Sequence, residues 1–369
     1  MKSDLISALA AAEHPLLELE AQDGSLLILP YGARVLGLFG SSGENFFWVN
    51  PALTATASAK AFFASTGWKN SGGDRTWVAP ETDFFIKNID DPWNTYEVPS
   101  SIDPGNYTVQ KVEGQVKMIN QARVVLHNLK KECAIELEKT IRMVVNPLHH
   151  EEEAKKLLGQ LEYIGYEQVT TLRLISPPLP TPGPSYPPLP LQGGEGRGVR
   201  LGMWNLIQLP AGGHIIIPTV KESYPQDYFE KTGPSHLRVT PRFIHFLLDA
   251  NERHKIGVKA ISTIGRVGYL RPIEEGIMTL VVRNVLLNPS GEYVDTPWDN
   301  RSDLGYAIQC YNDDGHLGKF GEMEYHAPAI GEGTGMTTYQ DRSQVWAFWG
   351  KEQSVNEVCQ YLLGAEIED

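Results

Sequence analysis

Over most of the chain, apolar and polar residues alternate with a period of two, the signature of strands with one face buried. VQKVEGQVKMINQARVVLHNL (109–129) and CAIELEKTIRMVV (133–145) show it most clearly. Residues 16–39, LLELEAQDGSLLILPYGARVLGLF, carry shorter apolar runs broken at Asp23-Gly24 and Tyr31-Gly32. The texture returns in HLRVTPRFIHFLLDA, MTLVVRNVLL and SQVWAFWG, with turn signals at Pro104-Gly105-Asn106 and Pro289-Ser290-Gly291. Many strands at such spacing predict an antiparallel, all-β sandwich or barrel over a parallel α/β sheet.

Three segments break the pattern. The N-terminus, MKSDLISALAAAEHP, reads as a short helix and a poor secretory signal. His149–Leu161, HHEEEAKKLLGQL, places acidic residues in a first turn and basic ones in a second, which suits a surface helix. Residues 176–199, SPPLPTPGPSYPPLPLQGGEGRGV, hold too little apolar surface to offset ordering entropy. A disordered Pro/Gly-rich loop is expected there, between strands of one domain spanning residues 1–369.

Composition narrows the partners. The 369 residues are 41% hydrophobic, enough for a large core, and the formal net charge is -13. An acidic surface argues against nucleic acid and anionic membranes. No run approaches the roughly 18 apolar residues of a membrane span. Cys133, Cys310 and Cys359 are far apart and show no zinc spacing, as expected of free thiols in a reducing, cytoplasmic compartment. No metal or organic cofactor is expected, and the oligomeric state is not legible.

Chemistry concentrates in Tyr311–Ala329, YNDDGHLGKFGEMEYHAPA. Asn312-Asp313-Asp314-Gly315 reads as a turn. A strand follows in which Glu322, Glu324 and His326 share one face and Met323 and Tyr325 the other. That polar face is either an outer surface or the floor of a cleft. On a cleft floor, one carboxylate would serve as a general base and His326 or His316 as the acid. Metal binding by Glu322, Glu324 and His326 has no spacing to support it. Upstream, Gly72-Gly73-Asp74-Arg75-Thr76-Trp77 combines hydrogen-bonding groups with a flat apolar ring, the chemistry of a carbohydrate cleft. The alternative there is a turn with a structural ion pair and a core tryptophan. Asn205, in Met203-Trp204-Asn205, is either a site residue or a satisfied strand group. Two Pro-Trp turns, at Trp93 and Trp298, suggest aromatic loops around a cleft.

Taken in order, YGARVLGLF, GGDRTWVAPE, IELEKTIRMVVNP, LGMWNLIQLPAGG and YNDDG…LGKFGEMEYHAPA resemble the galactose mutarotase-like superfamily, in an uncharacterised bacterial branch. The resemblance implies a β-supersandwich whose concave sheet binds a sugar or oligosaccharide. It implies aldose 1-epimerase chemistry, in which a late-strand Glu deprotonates the anomeric hydroxyl and a His protonates the ring oxygen. The Glu maps onto Glu322 or Glu324, and the substrate-holding Arg onto Arg75. Asp74, Asn205, Asn312 and Asp313 are then expected to bind hydroxyls, with Trp77 stacked on the ring. The histidines of that family's early and middle motifs have no counterpart in register. A sugar-binding module without catalysis is therefore the alternative.

Overall fold

A computed structural model describes residues 2–365 except 22, 153, 155, 156, 158 and 176–197. Its strands form two antiparallel sheets. In spatial order the first runs β1 (Leu17–Ala21), β2 (Gly24–Leu29), β3 (Arg34–Gly40), β4 (Asp74–Ala79), β9 (Arg200–Pro210), β18 (Phe320–His326), β17 (Ile308–Asn312), β14 (His254–Val258) and β11 (Gln226–Asp227). β19 (Ile330–Gly331) adds to β9. The second runs β12 (Leu237–Val239), β13 (Phe243–Leu248), β10 (Gly213–Pro218), β15 (Arg266–Glu274), β16 (Ile277–Val285), β20 (Thr338–Lys351), β8 (Leu161–Ile175), β7 (Lys131–Met143), β6 (Gln115–Leu126) and β5 (Thr108–Val112). The all-β antiparallel expectation is met.

The main core lies between the sheets, where the inward residues of both meet. Ile28, Val35, Ile207 and Met323 of the first sheet belong to one apolar cluster with Met118, Ile141, Val281 and Val345 of the second. β6 buries every second residue from Val116 to Leu126, as its alternation requires. The strands flanking the Pro/Gly-rich segment are neighbours in sequence only: β8 lies in the second sheet and β9 in the first. Nearly all of that predicted insertion falls outside the described residues.

Helices are few. The predicted N-terminal helix is α1 (Lys2–Ala11). α2 (Thr56–Ala64), α3 (Glu81–Phe84) and α4 (Pro92–Thr95) sit in the connections on either side of β4. α5 (Glu352–Leu363) was not expected, yet Val355, Val358, Cys359 and Leu362 make one buried stripe at helical spacing. Of the helix expected over 149–161, four residues lie outside the described ones. The described remainder is mostly turns, closed by bonds such as Ala154 N–H to Glu151 C=O at 3.1 Å. No helix among the described residues is long and apolar enough to cross a membrane. The three cysteines are buried and free.

Candidate functional site

The centre of the first sheet carries a cleft of about 430 Å³. Strand alternation decides which residues reach it. On β4, Arg75 and Trp77 face the cleft, while Asp74 and Thr76 face the second sheet. On β9, Trp204 and Gln208 face it, while Asn205 and Ile207 face the core. On β18, Glu322 and Glu324 face it, and Met323 and Tyr325 join the core. Register aligns Gln208, Glu322, Tyr311 and Lys255 in one row across β9, β18, β17 and β14. The two glycines before β4 are dictated by packing. A Cβ on Gly72 (φ +96) would meet the Trp48 carbonyl at 2.3 Å, and one on Gly73 (φ +76) the Val35 carbonyl at 2.2 Å.

The floor is charged and buried. The Oε1 atom of Glu322 accepts from Arg75 Nη2 at 2.8 Å and from Gln208 Nε2 at 2.9 Å. Arg75 itself lies over the Trp77 ring at 4.2 Å and the Trp68 ring at 5.6 Å. Both indole N–H groups donate to Asp103, which also pairs with the buried Arg34. Glu324 accepts from Trp204 Nε1 at 2.6 Å. Lys255 Nζ stands 3.5 Å from Glu324 and 3.5 Å from Glu81, and 4.5 Å from the Trp204 ring centre. Tyr96 and Trp298 donate to the two oxygens of Glu81 at 3.0 Å each.

Two carboxylates thus share one ammonium in a buried setting. Burial pushes the Glu324 carboxyl up to about 8, with Lys255 opposing and Glu322 and Glu81 reinforcing the shift. Glu81 is likewise raised by burial, against the pull of Lys255. Burial alone would lower the Lys255 ammonium, but Glu324, Glu81, Asp295 and Glu322 hold it above its ordinary value. Near neutral pH the arrangement keeps a proton on a carboxyl beside a permanent cation.

The mouth is aromatic. Trp93, Phe229 and Trp298 contact one another with ring centres 4.6–5.1 Å apart. Arg253 lies 4.8 Å over the Trp93 ring and pairs with Asp314 at 2.7 Å. Trp93 is 52% exposed, so its ring remains open to a ligand.

A family model described as a family of unknown function, DUF6786, matches residues 4–176 and 195–369. The chain belongs to this family. No curated protein matches it. Among solved structures, a candidate aldose 1-epimerase of Escherichia coli K12 superposes with a TM-score of 0.50 at 8% identity, covering 90% of this chain and 98% of that one. A galactose mutarotase-like protein of Lactobacillus casei ATCC 334 gives 0.48 at 11% identity, covering 90% and 99%. This DUF6786 member therefore has the galactose mutarotase-like fold.

The cleft of this DUF6786 chain gathers five of the residues expected from sequence: Arg75, Trp77, Glu322, Glu324 and His316. His316 sits exposed at the mouth. The others are corrected by the direction in which they point. Asp74 crosses to the second sheet, pairing with Arg283 at 3.1 Å and accepting from Tyr166 at 2.5 Å. Asn205 accepts from Thr76 at 2.7 Å and Gln168 at 3.1 Å in the same interlayer. Asn312 accepts the backbone N–H groups of Asp249 and Ala250 and donates to Asp249 and Glu252, tying down a turn. Asp313 accepts from Tyr311 at 2.9 Å and the Leu317 N–H at 3.2 Å. His326 stacks on Trp204 at 5.7 Å, and burial pushes its imidazole down to about 4, which favours the neutral form over a proton-donating imidazolium. Trp77, though it lines the cleft, is only 3% exposed beneath Arg75, Phe85 and Trp204.

Glu81, Gln208, Arg253 and Lys255 were missed. Lys255 gave no signal: in HKIGV it alternates with His254, Ile256 and Val258, as a solvent-facing lysine would. Glu81 had none beyond its closeness to the GGDRTW segment. The Pro-Trp turns did anticipate the mouth.

Proposed function

We propose that the cleft binds a sugar or oligosaccharide and that its two floor carboxylates move protons at a hemiacetal, as in an aldose 1-epimerase. The carrying observation is the unlike surroundings of Glu322 and Glu324 on one strand face. Glu322 meets Arg75 and Gln208, whereas Glu324 keeps its proton to about pH 8. Unlike environments for paired carboxyls separate base from acid. Glu322 takes the anomeric hydroxyl proton, and Glu324 gives its own to the ring oxygen as the bond from that oxygen to the anomeric carbon breaks. The open-chain aldehyde rotates and recloses by the reverse transfers. No electron acceptor is involved. The aromatic mouth supplies flat apolar faces for the C–H side of a pyranose, and the floor supplies hydrogen bonds.

The test is anomer exchange, followed by NMR magnetisation transfer over a panel of neutral and acidic sugars, with calorimetry for binding. Accelerated exchange that is lost in Glu322→Gln and in Glu324→Gln supports the reading. Absence of both exchange and binding across the panel overturns it. The absence of any histidine from the floor among the described residues favours one rival, a sugar-binding module without catalysis. Binding without exchange would select it.

A further inference from the structure

Behind the cleft, on the opposite face of the segment that carries Arg253 and Lys255, two histidines and two carboxylates converge. His236 and His254 are each 6% exposed, and their rings lie 4.7 Å apart. Glu252 Oε2 is 3.3 Å from His254 Nε2 and 4.0 Å from His236 Nδ1. On its other side, His236 Nε2 is 3.2 Å from Asp249 Oδ2.

Asp249 contacts His236 Nε2 and so orients the ring with Nδ1 turned toward Glu252. The same Nδ1 lies 3.1 Å from the Ser235 hydroxyl. His254 adds a second imidazole, its Nε2 on the same Glu252 oxygen. A cation between these atoms would meet two imidazoles and a carboxylate. A carboxylate that orients a metal-binding histidine through its far nitrogen is the usual outer contact of such sites.

We propose that His236, Glu252 and His254 bind one divalent transition-metal ion, Zn²⁺ by donor type, with Asp249 as the positioning residue. Two imidazoles and one carboxylate are a zinc donor set, and three protein ligands leave one position for water. The ligand atoms lie within 4.8 Å of one another, so shifts of about 1 Å bring them to tetrahedral spacing. The site is preorganised, because Asn312 donates to both the Asp249 carboxylate and the Glu252 carbonyl. His236 comes from a different segment from Glu252 and His254, which is why no metal spacing showed in the sequence. Bound metal would pin the segment that presents Arg253 and Lys255 to the cleft.

The experiment is calorimetric titration of the full-length, chelator-stripped protein with ZnCl₂, paired with the visible spectrum of the Co²⁺ form. One ion per chain and a tetrahedral Co²⁺ spectrum are expected. Affinity should fall at least about tenfold in Glu252→Ala, and by about ten- to a hundredfold in Asp249→Asn. Glu252 is exposed, so its variant tests the site without threatening the fold. The His149–His150 pair, with rings 5.2 Å apart, is the competing surface binder. Absent binding, or binding unchanged in Glu252→Ala and abolished in His149→Ala/His150→Ala, overturns the proposal.

Discussion

Arg75 donates to Glu322 at 2.8 Å between side chains only 3% and 8% exposed, joining β4 to β18 across the full width of β9. A buried pair of this kind is worth little net, but removing one partner strands the other charge. Arg75→Met should cost about 3 kcal/mol in urea unfolding. Arg75→Met/Glu322→Met should recover a large part of that loss. A double variant no more stable than the single would show that the carboxylate was not dependent on the arginine.

Stability should respond to pH through Glu324. In the unfolded chain its carboxyl ionises near the ordinary 4.5, whereas the fold holds the proton up to about 8. The folded state therefore binds more protons between those values, so this contribution is full below 4.5 and is lost as pH rises through about 8. Glu324→Gln keeps the neutral state at all pH. Its urea midpoint should gain on the parent protein between about pH 5.5 and about pH 8.5. An unchanged difference across that window would contradict the burial argument.

Trp93 offers the mouth an open ring. Trp93→Ala should weaken sugar binding about fivefold, the equivalent of about 1 kcal/mol of aromatic contact, with little change in melting temperature. Calorimetry alongside a thermal melt separates the two effects. Equal affinity would move the binding face elsewhere in the cleft.

His326 should prove dispensable for proton transfer. His326→Phe preserves a ring against Trp204, and anomer exchange should continue at a rate close to that of the parent protein. Its stability contribution has the opposite sign from that of Glu324. The folded state resists protonating this imidazole down to about 4, whereas the unfolded chain protonates it near 6.5, so stability is lost as pH falls across that span. The variant should flatten that acid limb in a denaturation series. Loss of exchange with intact folding would restore His326 to the chemistry.

The β18 face was legible because an interior strand obeys a strict period of two. Glu322 and Glu324 separated correctly from Met323 and Tyr325 on that rule alone. The same rule, applied to GGDRTW, would have separated Asp74 from Arg75. Reading the segment as one cluster put both in the cleft, when adjacent strand residues must face opposite sides. Asn205 and Asn312 show a different limit. A buried asparagine looks the same in sequence whether it serves a ligand or holds two strands or a turn, because only its partners distinguish the roles. Lys255 and Glu81 meet across 174 residues, and no local pattern announces such a pair.

The floor of the cleft also has a history during synthesis. Arg75 and Glu322 are 247 residues apart. At ordinary translation speeds, β4 leaves the ribosome on the order of ten to fifty seconds before β18 is made. For that interval an arginine without its carboxylate and a wall of tryptophans without their cover are displayed on the nascent chain. Completion of the site is thus a late event in biogenesis. Truncated products would expose this sticky half-cleft, which gives holding chaperones a reason to attend this protein co-translationally.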